Sequence, residues 1–300
     1  MDIRVLKYFL AVAREGSMTG AAKFLHVTQP TLSKQLKELE NELGKKLFTR
    51  SNYSVKLTDE GMLLRKRAED IIEMFEKTKT EFLTMDHMTG GDVYIGGAET
   101  DAFKFFAQAA VSLQNEYPDM CYHLFSGNSQ DVMERLDRGL DDFGIVVDPV
   151  DLSKYDYLTL PNKDTWGVVM RKDSPLAEKQ SVTVKDLLDV PLLLSRQASQ
   201  QTLSKNEFSE WFGKSFEHLN VVTTFSLGFN PAIMVREGLG YLVSFDKMIN
   251  TMPNSELTFR PLEPKLESGL HIIWKKYQIF SPAAELFLNA IKSIFHIGNE

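Results

Sequence analysis

The hydrophobic period of the chain changes once, at Thr89-Gly90-Gly91. Before that point, apolar residues recur at helical spacing, interrupted by one short stretch of strand character. After it, short apolar runs of strand length alternate with helical segments. A sequence with that break predicts two architectures, a helical head and an α/β body, and 300 residues suffice for both. Charge divides in the same way. Residues 1–60 hold ten Lys/Arg against seven Asp/Glu, a net +3, whereas the remainder holds 24 against 34, a net −10. A basic head on an acidic body is the asymmetry of a nucleic-acid-binding arm.

Three short helices read from the head. The first covers about Asp2–Arg14 and stops at Gly16; its Ile3, Leu6, Phe9, Leu10 and Ala13 share one face. Lys7 interrupts the run, so an amphipathic helix fits better than a secretory h-region. Ser17 caps a second helix, about Met18–Leu25, whose Ala21-Ala22 pair lets another helix approach closely. Thr28 is a good N-cap for a third, and Pro30 sits in its first turn, where the missing N–H costs nothing. That helix carries Leu32, Leu36, Leu39 and Leu43 on one stripe and ends at Gly44. Its opposite, N-terminal face carries Gln29, Thr31, Ser33, Lys34, Gln35 and Lys37. Two helices joined by a tight turn, the second polar and basic at its start, predict a helix-turn-helix. A solvated face of a small bundle has the same pattern. Lys45–Arg50 and Ser54–Leu57 then read as two strands around Ser51-Asn52-Tyr53, a wing bearing Lys46, Arg50 and Lys56 for phosphate contacts.

In order and spacing, Tyr8–Ala13, Gly16–Ala22, Leu25–Ser33, Leu39-Glu40, Leu43-Gly44, Leu47-Phe48 and Leu57-Thr58 resemble a LysR-type transcriptional regulator. The resemblance implies a winged helix-turn-helix over 1–58, a dimer-forming linker helix and hinge over 59–89, and a two-lobed α/β effector domain over 90–300, similar to periplasmic binding proteins. Lobe I would take about 90–161 and 266–300, and lobe II, inserted, about 162–265. It further implies homodimers or homotetramers on double-stranded promoter DNA, RNA polymerase as a partner, and no membrane association. By position, Gln29, Pro30, Thr31, Ser33 and Lys34 would lie at the DNA, with Arg50 in the wing; Lys37 and Lys56 complete the expected contact set. The position of Lys34 is often Arg in the family, and Lys lacks the bidentate fork.

Thr58 caps the next helix and Asp59-Glu60 favour its start. Leu64, Ala68, Ile71, Phe75, Thr78, Phe82 and Met85 recur at four-three spacing, an a/d seam on an otherwise polar helix. Such a seam needs a partner, and a second copy (through Leu64, Ala68, Ile71, Phe75 and Phe82) suits paired recognition helices.

From Asp92 the alternation predicts a parallel α/β sheet: strands near 92–96, 120–125 and 143–147 with helices from Thr100 or Asp101 to Tyr117 and over 130–138. A second series follows, with strands near 155–160, 165–170, 192–195, 221–225 and 241–243 and a helix near 204–212. Two more strands and a final helix, 283–295, close the chain. In open α/β sheets ligands sit beyond the strands' carboxyl ends. Those positions are Thr100, Asp101, Ser126, Asn128, Asp148, Ser195, Arg196, Gln197 and Phe225, next to Ser226. In the family these loops face the cleft where a small effector binds. Arg196 suits a carboxylate or phosphate, so an anionic effector fits this reading. Thr100 and Asn128 also make sense as helix caps alone.

No nucleophile elbow, P-loop or His-Glu-x-x-His motif occurs, so an enzyme is not expected, nor a cofactor. The six histidines have no metal spacing, so no metal site is expected. Cys121, the only cysteine, falls inside a predicted strand and reads as a buried thiol. One cysteine and no apolar run of about 18 residues suit a reducing, cytoplasmic setting. A solute-binding protein suits the two-lobed body equally well; the DNA-like head separates the two readings.

Overall fold

The computed structural model describes residues 1–50, 55–84, 90–199 and 207–295. Short polar residues set the helix starts in the head. Asp2 accepts a hydrogen bond from the Arg4 N–H at 2.8 Å to open α1 (Ile3–Glu15), and Gly16 ends it in the left-handed region at φ 59°. Ser17 accepts from the Gly20 N–H to open α2 (Met18–Phe24). Thr28 caps α3 (Gln29–Leu43), and Gly44, at φ 65°, stops it. Both glycines hold a backbone conformation that a side chain would strain. Leu32, Leu36 and Leu39 are buried in one core with Leu6, Phe9, Val12, Ala21 and Ala22; Leu43, the last of the expected stripe, is exposed.

The wing is a two-stranded antiparallel ladder, β1 (Phe48–Arg50) and β2 (Val55–Leu57), with Phe48 opposite Leu57. It begins later than the expected Lys45. Glu40, buried in α3, holds that lead-in: its Oε1 accepts from the N–H groups of Leu47 and Phe48 at 2.9 and 3.4 Å, and its Oε2 from Lys46 Nζ at 2.9 Å. The expected turn Ser51-Asn52-Tyr53 and the Arg50 side chain lie outside the described residues.

Helix α4 (Asp59–Thr84) follows, with the Thr58 hydroxyl accepting from the Gly61 N–H and donating to the Lys46 carbonyl. The expected seam does not stay on one free face. Ala68 is fully buried and Leu64 half-buried against the head's own core, because α4 runs back across it. Ile71, Phe75 and Phe82 remain exposed, Phe82 at 70%. The chain divides into two compact units, Met1–Leu83 and Thr84–Glu300.

The second unit holds two sheets. Its elements run β3 (Gly90–Gly97), α5 (Lys104–Leu113), β4 (Asp119–Ser126), α6 (Ser129–Asp137), β5 (Phe143–Val147), β6 (Tyr155–Thr159) and β7 (Asp164–Arg171). Then come α7 (Val184–Leu187), β8 (Leu192–Ser195), α8 (Arg196–Ser199), α9 (Glu207–Phe212), β9 (Val221–Phe225) and α10 (Phe229–Arg236). The chain closes with β10 (Tyr241–Phe245), β11 (Leu257–Pro261), β12 (Glu267–Ser268), β13 (Leu270–Lys275) and α11 (Pro282–Ile294). The first sheet has the order β4-β3-β5-β13-β6 and the second β11-β7-β10-β8-β9, with β12 on β7. Helices cover both faces of each: α5 and α11 bury Phe106 and Phe287 on one face of the first, and α6 buries Val132 and Leu136 on the other.

The alternation predicts parallel sheets, but neither sheet is wholly parallel. β4-β3-β5 and β10-β8-β9 are parallel sets, but β13 runs against β5 and β6, and β7 runs against β10 and β11. Those two reversed strands are the ones that follow a crossing between sheets, so each enters from the end at which the parallel strands finish. Other differences are local. The helix expected from Thr100 to Tyr117 is a 3-10 turn, Asp101–Phe103, followed by α5, and α9 is described only from Glu207. Cys121 is exposed rather than buried, because it lies on edge strand β4, on the face turned away from α5 and α11.

Burial pushes the Glu40 carboxyl up, but Lys46 and the Leu47 and Phe48 N–H groups outweigh it and hold it below the usual carboxylate range. The stability Glu40 adds is therefore present above the unfolded value of about 4.3 and is lost as pH falls through the lower folded value. Glu40→Gln is expected to destabilise the head by about 1.5–3 kcal/mol at neutral pH. Denaturant titration of the variant and parent should show that gap closing in acid.

Candidate functional site

Two sites follow from this framework, one on each unit. On the head, the leucine stripe anchors α3 and leaves its first turns outward. Gln29, Pro30, Thr31, Lys34 and Lys37 are exposed and Ser33 is half-buried. The Thr28 and Thr31 hydroxyls bond at 2.8 Å, which orders the start of the helix. Lys34 lies 3.9 Å from Glu38, a loose pair on an exposed face. Lys56 is exposed on β2, where its carbonyl accepts from the Thr49 hydroxyl across the ladder. Lys46, counted among the wing cations, is tied to Glu40 instead. A helix start with exposed hydroxyls, an amide and lysines offers what a phosphate backbone and base edges accept.

On the second unit, the strand ends of the two sheets enclose a cavity of about 80 Å³. Since one water needs about 10–15 Å³ on this measure, the space suits a small organic molecule. From the first sheet come Ala98 and Glu99 after β3, Gly127 and Asn128 after β4, and Val147 and Asp148 at the end of β5. From the second come Ser195 and Gln197, Phe225 and Ser226, and Val243 to Phe245. Trp166 and Ser268 line it from the crossing segments, and the Trp166 indole N–H donates to the Ser268 hydroxyl at 2.9 Å. Trp166 packs against Phe208 and Phe245 at 4.8 and 4.2 Å between ring centroids, so one part of the wall is an aromatic cluster.

Five of the nine residues expected at the cleft reach the cavity: Asn128, Asp148, Ser195, Gln197 and Phe225. Asn128 also forms a capping box with Asp131, so it serves both purposes. The other four do not line it. Thr100 and Asp101 begin the 3-10 turn, where Thr100 accepts from the Ala102 N–H and Asp101 pairs with Lys104 at 2.8 Å. Ser126 is exposed at the end of β4, and Arg196 is exposed at the start of α8. The anion grip expected of Arg196 is therefore not in the cavity wall. Glu99 was within reach of the strand-end rule, one residue from Thr100; Val243 to Phe245 lie in β10, at a strand end the rule covers but where no position was chosen. Trp166, Glu207, Phe208 and Ser268 carried no such signal, since they come from a reversed strand, a helix and a short crossing strand.

Two contacts join the sheets beside the cavity. The Glu99 carboxylate accepts the Gly228 N–H at the start of α10, and Gln197 Oε1 accepts the Ser129 N–H at the start of α6, 3.3 Å away. Each sheet's loop thus satisfies a helix N-terminus of the other. Asp148 is held by His271 Nε2 at 3.2 Å, and the His271 Nδ1 bonds Thr159. Asp164, at the crossing into β7, is buried, and one of its oxygens has no hydrogen-bond partner among the described residues.

The two units match two family models. One, described as "Bacterial regulatory helix-turn-helix protein, lysR family", matches residues 3–62; the other, "LysR substrate binding domain", matches residues 87–295. The chain is 31% identical over 294 residues to the uncharacterized HTH-type transcriptional regulator YwbI of Bacillus subtilis, covering 98% of this chain and 96% of that protein. It is 30% identical to the uncharacterized HTH-type transcriptional regulator YbhD of Escherichia coli, covering 95% and 89%. Among solved structures, full-length CbnR complexed with its target DNA shares the fold at a TM-score of 0.74 and 18% identity, covering 98% of this chain and 99% of that one.

Burial pushes the Asp164 carboxyl up to about 6; Thr100 and Lys247 pull it down, and Asp246 and Asp101 push it further up. A raised folded value means stability that is full below the unfolded value of about 3.9 and lost as pH rises through about 6. Asp164→Asn is expected to raise the thermal midpoint of the chain at pH 7.5, by relief of about 2–3 kcal/mol, and to leave it nearly unchanged near pH 4. An equal shift at both pH values would show that the carboxylate's charge is not the cause.

Proposed function

The chain belongs to the LysR family of bacterial regulatory helix-turn-helix proteins, and we propose that its α3 face and wing grip promoter DNA while a small effector in the inter-sheet cavity sets how they do so. The observation that carries this is the outward start of α3, held by leucines on its back beside a basic wing. Thr31, Ser33 and Gln29 reach base edges, Pro30 shapes the first turn, and Lys34, Lys37, Arg50 and Lys56 hold phosphates. Ile71, Phe75 and Phe82 on α4 meet a second copy, giving a homodimer or a pair of dimers on paired half-sites. The setting is the cytoplasm, with RNA polymerase as the downstream partner; no described helix is long and apolar enough to cross a membrane.

The effector acts by population shift. Occupying the cavity changes how the Glu99–Gly228 and Gln197–Ser129 contacts close, and so how dimers pack on DNA. Its charge follows from the wall. Glu99, Asp148 and Glu207 line the cavity, and no lysine or arginine does among the described residues. With aromatic rings around them, these carboxylates favour a neutral or positively charged compound over an anion.

Binding to a promoter fragment, titrated with salt, tests the head. Affinity should fall steeply, with a log–log slope of about −0.9 per phosphate neutralised, and Lys34→Ala or Lys56→Ala should each flatten it by about one contact. A slope near zero would remove the DNA reading. For the cavity, a thermal-shift screen of matched small amines, amides and acids on the full chain should yield stabilisation among the first two classes. Stabilisation by acids alone would overturn the charge assignment.

A further inference from the structure

The parallel pairing of β3 with β4 sets Asp92 opposite Cys121 and Tyr94 opposite His123. Residues two apart on a strand share a face, so Asp92, Cys121 and His123 project on the same side of the sheet. That side is turned away from α5 and α11, against which the alternate residues Val93 and Tyr122 pack, and α6 covers it only further along, over Gly96 and Gly144. Sulfur, imidazole nitrogen and carboxylate oxygen all lie within 4.8 Å of one another. His123 is ordered from two directions: its ring stacks on Tyr94 at 4.6 Å and 18°, and its Nε2 bonds Asp92 Oδ1 at 2.6 Å. β4 is the edge strand, so the cluster is open to solvent.

We propose that Asp92, Cys121 and His123 form a binding site for one divalent ion of the zinc class. A thiolate, an imidazole and a carboxylate are the donors that a borderline-soft, tetrahedral ion takes, whereas a hard ion such as magnesium has no use for the sulfur. Around a tetrahedral ion with bonds of about 2.0–2.1 Å, nitrogen and oxygen sit about 3.3 Å apart. The Asp92–His123 pair must therefore open by about 0.7 Å, which a side-chain rotation supplies. Cys121 binds as thiolate and releases its proton to solvent. His123 moves its ring proton from Nε2 to Nδ1 and binds through the freed lone pair, with no net proton change. Three protein ligands leave the fourth position to water.

The backbone ladder places all three ligands, so the site needs no change of fold. It lies at the edge of the sheet, apart from the effector cavity, none of whose lining residues it shares.

Cobalt(II) tests this on the reduced, tag-free full chain. One equivalent should produce a near-ultraviolet sulfur-to-cobalt charge-transfer band, which zinc then bleaches by displacement. Cys121→Ser should abolish the band, and His123→Ala should weaken affinity at least about 10-fold. Cys121 is exposed and its Ser variant should keep the parent's metal-free thermal midpoint, while His123→Ala, which also loses the Tyr94 stack and the Asp92 bond, is titrated below its own metal-free midpoint, so that lost ligation is separated from lost folding. No band in the parent, or an equal band in Cys121→Ser, overturns the site. Neither result bears on DNA binding, which is read separately.

Discussion

Each sheet of the larger unit contains one strand that runs against its neighbours, and the cavity depends on that reversal. β7 and β13 receive the chain as it passes between the sheets and carry it away from the crossing. The parallel strands of both sheets therefore end at the same place, and their carboxyl-end loops enclose one space. Were either crossing strand parallel to its neighbours, the chain would enter its sheet at the far end. The same crossings place Asp164 in a buried position, where its charge is costly, and bring Trp166 and Ser268 into the wall.

The head solves a different problem with the same economy of contacts. A short three-helix core has little apolar surface to bury, so α4 contributes Ala68 and Leu64 to it. One buried carboxylate, Glu40, then fixes where the wing begins by gathering two backbone N–H groups and a lysine. The apolar side chains left over on α4, Ile71, Phe75 and Phe82, are what a second copy can cover. Lys7 softens this face locally by pairing with Glu76 and lying over the Phe75 ring.

The cavity's electrical character also arises from placement. Glu99 satisfies a helix N-terminus across the gap, and Asp148 accepts from His271, so each carboxylate has a structural partner while still facing the space. Carboxylates beside aromatic rings are the basis of the proposed preference for a neutral or positively charged effector, because bringing two like charges together out of water is unfavourable.

Sequence by itself determined the elements and their limits. Thr28, Pro30 and Gly44 bound α3, the Leu32–Leu36–Leu39 stripe gives its buried face, and the apolar run Phe143–Val147 is a fully buried strand. These are local facts: capping and periodicity act within a few residues. Tertiary structure alone decided which neighbour covers a face and which way a strand runs. A heptad pattern marks Ala68 as apolar but does not say that its own core takes it. The alternation marks 164–171 and 270–275 as strands but not as reversed ones. Cys121 reads as buried because strand periodicity has two faces and only packing assigns one to solvent. Asp92 meets His123 because strand pairing joins positions far apart in the chain, and Glu99 and Glu207 line one cavity because the two sheets face each other there; spacing carries no record of either.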